Sequence, residues 1–230
     1  MITKEELIDI ARLKRLKPHQ QEKHYIQTII LNSIYSLVSN ELVFKGGTAL
    51  MFFYSLPRFS EDLDFTLIKE LNFDRIMKVI KKDLSNLGVE CKIDKIETSS
   101  ISLSFRVSAK GPLFTKNIET CYTRIEVSKR GHVDYIEIKE LKSIYPEILG
   151  FNVAIMSKTE ILSEKVRALL TRNQARDLYD LYFLLRENTK IDFGLIDKKL
   201  FYYKKKFSKK EFIKKVKEKE SIWKTELNPI

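Results

Sequence analysis

The chain has 230 residues, of which 43% are hydrophobic, and carries 42 Lys and Arg against 31 Asp and Glu for a formal charge of +11. That much apolar material excludes a disordered chain and suits one large domain or two small ones, while a pI near 9.4 favours polyanionic partners such as RNA, DNA or nucleotides. Only Cys91 and Cys121 occur, with no CxxC pair or Cys/His cluster, so neither a disulfide framework nor a structural zinc site is indicated.

The N-terminal stretch MITKEELIDIARLKRLK sets apolar residues among charges at helical spacing and has no signal-peptide pattern. The most apolar run, residues 49–56, is far shorter than the ~20 residues a bilayer span needs, so a soluble cytoplasmic protein without a membrane partner is expected. Residues 19–38 place Tyr25, Ile26, Ile29, Ile30, Ile34, Leu37 and Val38 three and four apart, which predicts an amphipathic helix. The short apolar run 42–45 reads as a strand stopped by Gly46 and Gly47, and Thr48 is the expected cap of a helix reaching Tyr54. Pro57 ends that helix, and residues 62–67 alternate carboxylate and apolar side chains as a strand. A helix over 73–87 closed by Gly88, strands over 89–96 and 101–107, a turn at Lys110, Gly111 and Pro112, and a strand over 121–128 complete a mixed α/β unit. Beyond Tyr145 and Pro146 two helices, 158–171 and 177–185, are predicted and no further strong strand, which puts a boundary near residue 150. The tail, 198–224, interleaves lysine runs with Phe201, Tyr202, Tyr203, Phe207, Phe212 and Trp223, as either a docked helix with a basic outer face or an RNA-binding arm.

Chemistry concentrates in LVFKGGTALMFFYSLPRFSEDLDFTL. On a strand Asp62 and Asp64 project the same way, and two carboxylates held together favour a divalent cation, with magnesium suited to an all-oxygen site. Glu126 in TRIEVSKR is the candidate third carboxylate for a two-metal arrangement, Glu137 in DYIEIKE its rival, and Arg124 stands ready to pair with Glu126. Gly46 and Gly47, lacking Cβ atoms, let backbone N–H groups meet phosphate at a helix start, with Arg58 and Ser60 approaching from the other side.

FKGGTAL followed by RFSEDLDF resembles the AbiEii/AbiGii toxin family, a branch of the DNA polymerase β-like nucleotidyltransferases, whose Gly-Gly, spacer, Asp-apolar-Asp pattern is filled by Gly46, Gly47, Asp62 and Asp64. EILSEKVRALLTRNQARDLYDLYFLL is similar to that family's C-terminal motif and puts Lys165, Arg172, Arg176, Asp177 and Asp180 on matching positions; the likeness spans about residues 20–185. His24 stands where the family more usually has an acidic residue and receives no role.

The resemblance implies an α/β nucleotidyltransferase core with a mixed sheet and N-terminal helices over 1–150, followed by a C-terminal helical domain with the basic tail over 151–230. It implies a catalytic set of Asp62, Asp64, Lys165 and Asp177. Magnesium would rest on Asp62, Asp64 and Glu126, and a nucleoside triphosphate (NTP) on Gly46, Gly47, Arg58, Ser60, Lys165 and Arg172. The implied activity is transfer of a nucleoside monophosphate to RNA, with tRNA acceptor ends favoured, by a toxin with a cognate antitoxin or a role in phage defence. The competing expectations are a non-catalytic RNA- or partner-binding protein, transfer to a small molecule or protein, and a helix-turn-helix regulator, for which no basic recognition helix stands out.

Overall fold

A computed structural model describes residues 1–130 and 132–227; the last residues of the expected C-terminal domain, 228–230, lie outside it. Two helices come first, α1 (Lys4–Lys14) and α2 (Pro18–Tyr35), each with a physical start signal: Thr3 and Glu6 form a capping box on α1, and Pro18 opens α2 at its first position. The described residues then hold a seven-stranded mixed sheet in the order β3-β4-β5-β2-β1-β7-β6. The strands are β1 (Leu42–Lys45), β2 (Leu63–Leu67), β3 (Glu90–Thr98), β4 (Ser102–Lys110), β5 (Cys121–Ser128), β6 (Ile136–Leu141) and β7 (Phe151–Met156). Helices α3 (Gly46–Tyr54) and α4 (Phe73–Asn86) lie between strands, and Gly88 at φ +76° leads the chain out of α4.

β1 lies inside the sheet between β2 and β7, and its Leu42, Val43 and Phe44 are almost fully enclosed. It runs antiparallel to β2 and parallel to β7. β5 alternates strictly, Cys121, Thr123, Ile125 and Val127 inward against Tyr122, Arg124, Glu126 and Ser128 on the open side. α2 covers the inward side of β5 and packs on α4, so the sheet's other face is left to carry polar chemistry.

Two corrections to the sequence reading concern elements. Residues 151–156 form a strand, β7, beyond the point where none was expected, and it lies beside β1. Its sequence FNVAIM is buried over its last four residues and so lacks the alternation that marks a half-exposed strand. Thr48 is not a cap: α3 begins at Gly46, and Thr48 lies buried in its first turn with Oγ1 2.8 Å from Ser60 Oγ and donating to the Asp62 carbonyl.

After β7 the chain is helical: α5 (Lys158–Thr171), α6 (Ala175–Arg186), α7 (Phe193–Phe201), α8 (Lys209–Glu218) and α9 (Glu220–Leu227). Ser157 caps α5 by accepting from the Glu160 amide. α5 is the hub, packed against α6, α7, α8 and β7. No helix among the described residues is long and apolar enough to cross a membrane.

Candidate active site

Strand register assembles a row of polar side chains across the open face. Asp64 on β2 lies opposite Lys45 on β1 and opposite Glu126 on β5. Glu126 in turn faces Ser104 on β4, and Ser104 faces Glu97 on β3. All five line one open cleft of about 1160 Å³, whose opposite wall is built by Glu164, Lys165, Arg167 and Arg172 and by residues of α7 and the loop after it. Glu137 lies instead on β6, paired with Lys139 at 3.0 Å and accepting from the Tyr54 hydroxyl at 3.1 Å, so Glu126 is the carboxylate beside Asp64.

The glycine pair has a steric reason visible in the side chains around it. Gly46 sits at φ +77°, and a Cβ there would lie 2.6 Å from Asp64 Oδ2; a Cβ on Gly47 would lie 2.5 Å from Arg58 Nη2 and 2.9 Å from Ser60 Oγ. The turn is therefore pressed onto Asp64 on one side and onto Arg58 and Ser60 on the other.

Arg58 is buried and spends its guanidinium on Asp180 in a bidentate pair, Nε to Oδ1 at 2.6 Å and Nη2 to Oδ2 at 2.7 Å. Lys165 bridges Asp180 at 2.6 Å and Asp177 at 3.1 Å, and Arg172 grips Asp177 through Nε and Nη2 at 2.6 and 2.7 Å. Three cations and two fully buried carboxylates thus form one chain from the α3–β2 connection to the end of α5. Burial alone would raise the pKa values of Asp177 and Asp180, but Lys165 and the neighbouring arginines overcome it and hold both carboxyls below the usual range. Arg172 is the cap residue after α5, in extended backbone, rather than a member of the helix, yet it and Lys165 both reach the cleft.

The structure brings Gly46, Asp64, Glu126, Lys165 and Arg172 together on the cleft wall, while Gly47, Arg58, Ser60, Asp62 and Asp177 stand behind or beside it. Arg176 lies on the exposed side of α6 and donates to Gln174 at 3.1 Å. Sequence reasoning missed Lys45, which lines the cleft and lies opposite Asp64 in the strand register; burial lowers its pKa and the charges of Glu164 and Asp64 oppose the shift. Its one signal was a lysine closing an apolar run just before the glycines, and only the register with Asp64 gives that lysine a place. Glu164 was missed as well; burial would raise its pKa, but Lys45, Arg167 and Lys199 hold it low.

Whether this site suits a metal turns on its donors. Among the described residues no three His, Cys, Asp or Glu side chains are gathered into a ready cage. Glu126 is paired with Arg124 at 2.8 Å. Nonetheless burial, and then the charge of Asp64, raise the pKa values of both Asp62 and Glu126, the mark of crowded carboxylates short of countercharge. The buried Ser104 Oγ beside Glu126 has no hydrogen-bond partner. An oxygen-only set of this kind fits a hard divalent cation that keeps water and phosphate oxygens among its ligands.

Comparisons with known proteins agree with this geometry. A profile described as "Nucleotidyl transferase AbiEii toxin, Type IV TA system" matches residues 29–229, basic tail included. The uncharacterized protein aq_aa25 of Aquifex aeolicus (strain VF5) is 25% identical over 207 residues, 83% of this chain and 84% of that protein. Two solved structures of similar fold show the same architecture. JHP933 from Helicobacter pylori has a TM-score of 0.68 at 22% identity, covering 94% of this chain and 83% of its own. MenT4, the nucleotidyltransferase toxin Rv2826c from Mycobacterium tuberculosis H37Rv, has a TM-score of 0.58 at 21% identity, covering 86% and 68%. The chain, with its glycine turn pressed on Asp64 and its cation-walled cleft, belongs to the AbiEii nucleotidyltransferase toxin family.

Proposed function

We propose that this nucleotidyltransferase is magnesium-dependent and moves a nucleoside monophosphate from an NTP to an RNA acceptor, with tRNA the favoured class. It would act in the cytoplasm as the toxin of a toxin–antitoxin pair or phage-defence system, held in check by a cognate antitoxin. The observation that carries this reading is the cleft's charge: Asp64 and Glu126 lie side by side on its floor, and its described lining holds eleven Lys and Arg against five Asp and Glu. Such a surface attracts a polyanion while keeping two carboxylates for a cation.

Asp62, Asp64 and Glu126 would hold magnesium, which when bound supplies charge neutralisation at the reacting phosphate. Lys165 and Arg172 bind the triphosphate from the helical wall, and Asp177 keeps both cations in place. Gly46 and Gly47, with Arg58 and Ser60 packed against them, shape the nucleotide side. An acceptor hydroxyl oxygen attacks the α-phosphorus, the bond to the bridging oxygen breaks, pyrophosphate leaves and the hydroxyl proton passes to solvent.

The test is incubation of purified protein with magnesium, each α-labelled NTP and total tRNA, beside Asp62→Ala and Asp64→Ala. Label should enter RNA with wild type and fall at least about a hundredfold in each variant, as expected for loss of a group acting on transition-state charge. Undiminished labelling by the variants would remove the carboxylate assignment, and label found only in a small molecule or protein panel would remove RNA as acceptor.

A further inference from the structure

The cleft does not end at the catalytic row. A second hollow of about 440 Å³, lined by Leu170, Thr171, Arg172, Asn173, Tyr203, Lys205 and Lys215, shares Arg172, Tyr203 and Lys205 with the first. A continuous basic path therefore leaves the carboxylates, crosses the loop after α7 and reaches α8.

That loop has an unusual composition for a connection between two helices, YYKKK over residues 202–206. Tyr202 is 53% exposed and Tyr203 36%, and their rings meet edge to face at 5.4 Å. Each ring is backed by a guanidinium: Arg130 stands 5.1 Å from the Tyr202 centroid and Arg167 5.3 Å from that of Tyr203. Lys204 takes a left-handed backbone at φ +54°, which turns the chain sharply after the aromatic pair, and Lys205 is tied down by the Leu170 carbonyl at 3.2 Å and Glu211 at 2.8 Å. The rings are thus pre-set and accessible, with lysines at one-residue spacing beside them. A rigid duplex meets a protein mainly through its phosphates, whereas exposed rings among cations suit unstacked bases with a backbone running past them.

We propose that Tyr202 and Tyr203, with Arg130, Lys204, Lys206 and Lys215, form a stacking-and-phosphate track that takes an unpaired strand of the RNA acceptor where it leaves the catalytic cleft. This rests on the RNA-transfer reading and adds to it that the acceptor is engaged through single-stranded nucleotides next to the reacting hydroxyl.

The test measures binding of a fluorescent 12-nucleotide single-stranded RNA, and of the same strand paired with its complement, to the full chain without NTP at several salt concentrations. Tyr202→Ala and Tyr203→Ala should each weaken single-strand binding about tenfold, with duplex binding almost unchanged, while Tyr202→Phe and Tyr203→Phe keep wild-type affinity. Lys204→Ala combined with Lys206→Ala should weaken both and lower the single-strand salt slope by about 1.4. Equal single-strand affinity in wild type and the alanine variants, tighter binding of the duplex, or no binding by wild type would each overturn the track. Single-strand binding lost in the tyrosine variants, alongside a wild type that labels no RNA, would leave the track standing and remove the transfer reading instead.

Discussion

Gly46 shows how much one absent methyl group decides. The GG pair announces in the sequence that something comes close, but what comes close is Asp64 on one side and the Arg58–Ser60 pair on the other, and only strand pairing reveals that. Gly46→Ala combines a positive φ with a Cβ set against Asp64 Oδ2. Nucleotide transfer should fall roughly a hundredfold as Asp64 is displaced, with a loss of about 1–3 kcal/mol in urea denaturation. His24 makes the opposite point, since the family likeness left it without a role and the structure gives it a structural one. Its ring stacks on Phe52 at 4.5 Å and its Nδ1 meets the Tyr145 hydroxyl at 2.8 Å, and that hydroxyl also accepts from Gln21 at 2.7 Å. With Gln21 donating to it, the Tyr145 hydroxyl has its own proton free to give to a neutral His24 Nδ1. Burial, aided by the charge of Lys14, lowers the His24 pKa from 6.5 to about 4. A folded-state value below the unfolded one gives stability that is present above pH 6.5 and is lost as pH falls toward 4. Wild type should lose about 2 kcal/mol between pH 7 and pH 5 from this group, and His24→Gln should flatten that part of the urea-midpoint profile.

At the level of elements, α5 and α6 are joined to the α3–β2 connection by the Arg58–Asp180–Lys165–Asp177–Arg172 chain. Removing one member strands the rest in a buried setting, so Arg58→Ala and Asp180→Ala should each cost about 3 kcal/mol, and the double variant clearly less than the sum. Additive losses in denaturation would show that the two side chains act apart. Most elements were legible: the strand over 121–128 and the helix over 158–171 match to the residue, because strict alternation and a Ser157 cap mark them. β7 was not, since a strand buried on both faces has no period to read. Charge pairing was half legible: the residues of the C-terminal motif were identified, yet their spacing along α5 and α6 cannot tell that Arg58, over a hundred positions earlier, belongs to Asp180. Lys45 was hidden for the same reason, being defined by its neighbour across the sheet and not by its neighbours in sequence.

Across the whole molecule, the cleft joins distant parts of the chain: its floor comes from strands β1 to β5 and its wall from α5, α7 and the lysine loop. The division expected near residue 150 passes just ahead of β7, and the sheet closes only at Met156 before α5 begins at Lys158. A fragment of residues 1–150 lacks the strand that buries one side of β1 and lacks Lys165 and Arg172. It should show early hydrogen exchange at the β1 amides and no nucleotide transfer, whereas a fragment that folded cooperatively with a protected β1 would overturn that expectation.

The position of β7 also sets a timetable for synthesis. β1 lies at the centre of the sheet, yet Ile155, its partner on one side, is translated long after Phe44. While the ribosome is still making the intervening chain, β1 presents an open hydrogen-bonding edge that invites chaperones or other strands. The cleft itself is completed later still, because Lys165 and Arg172 on its helical wall are translated only after β7.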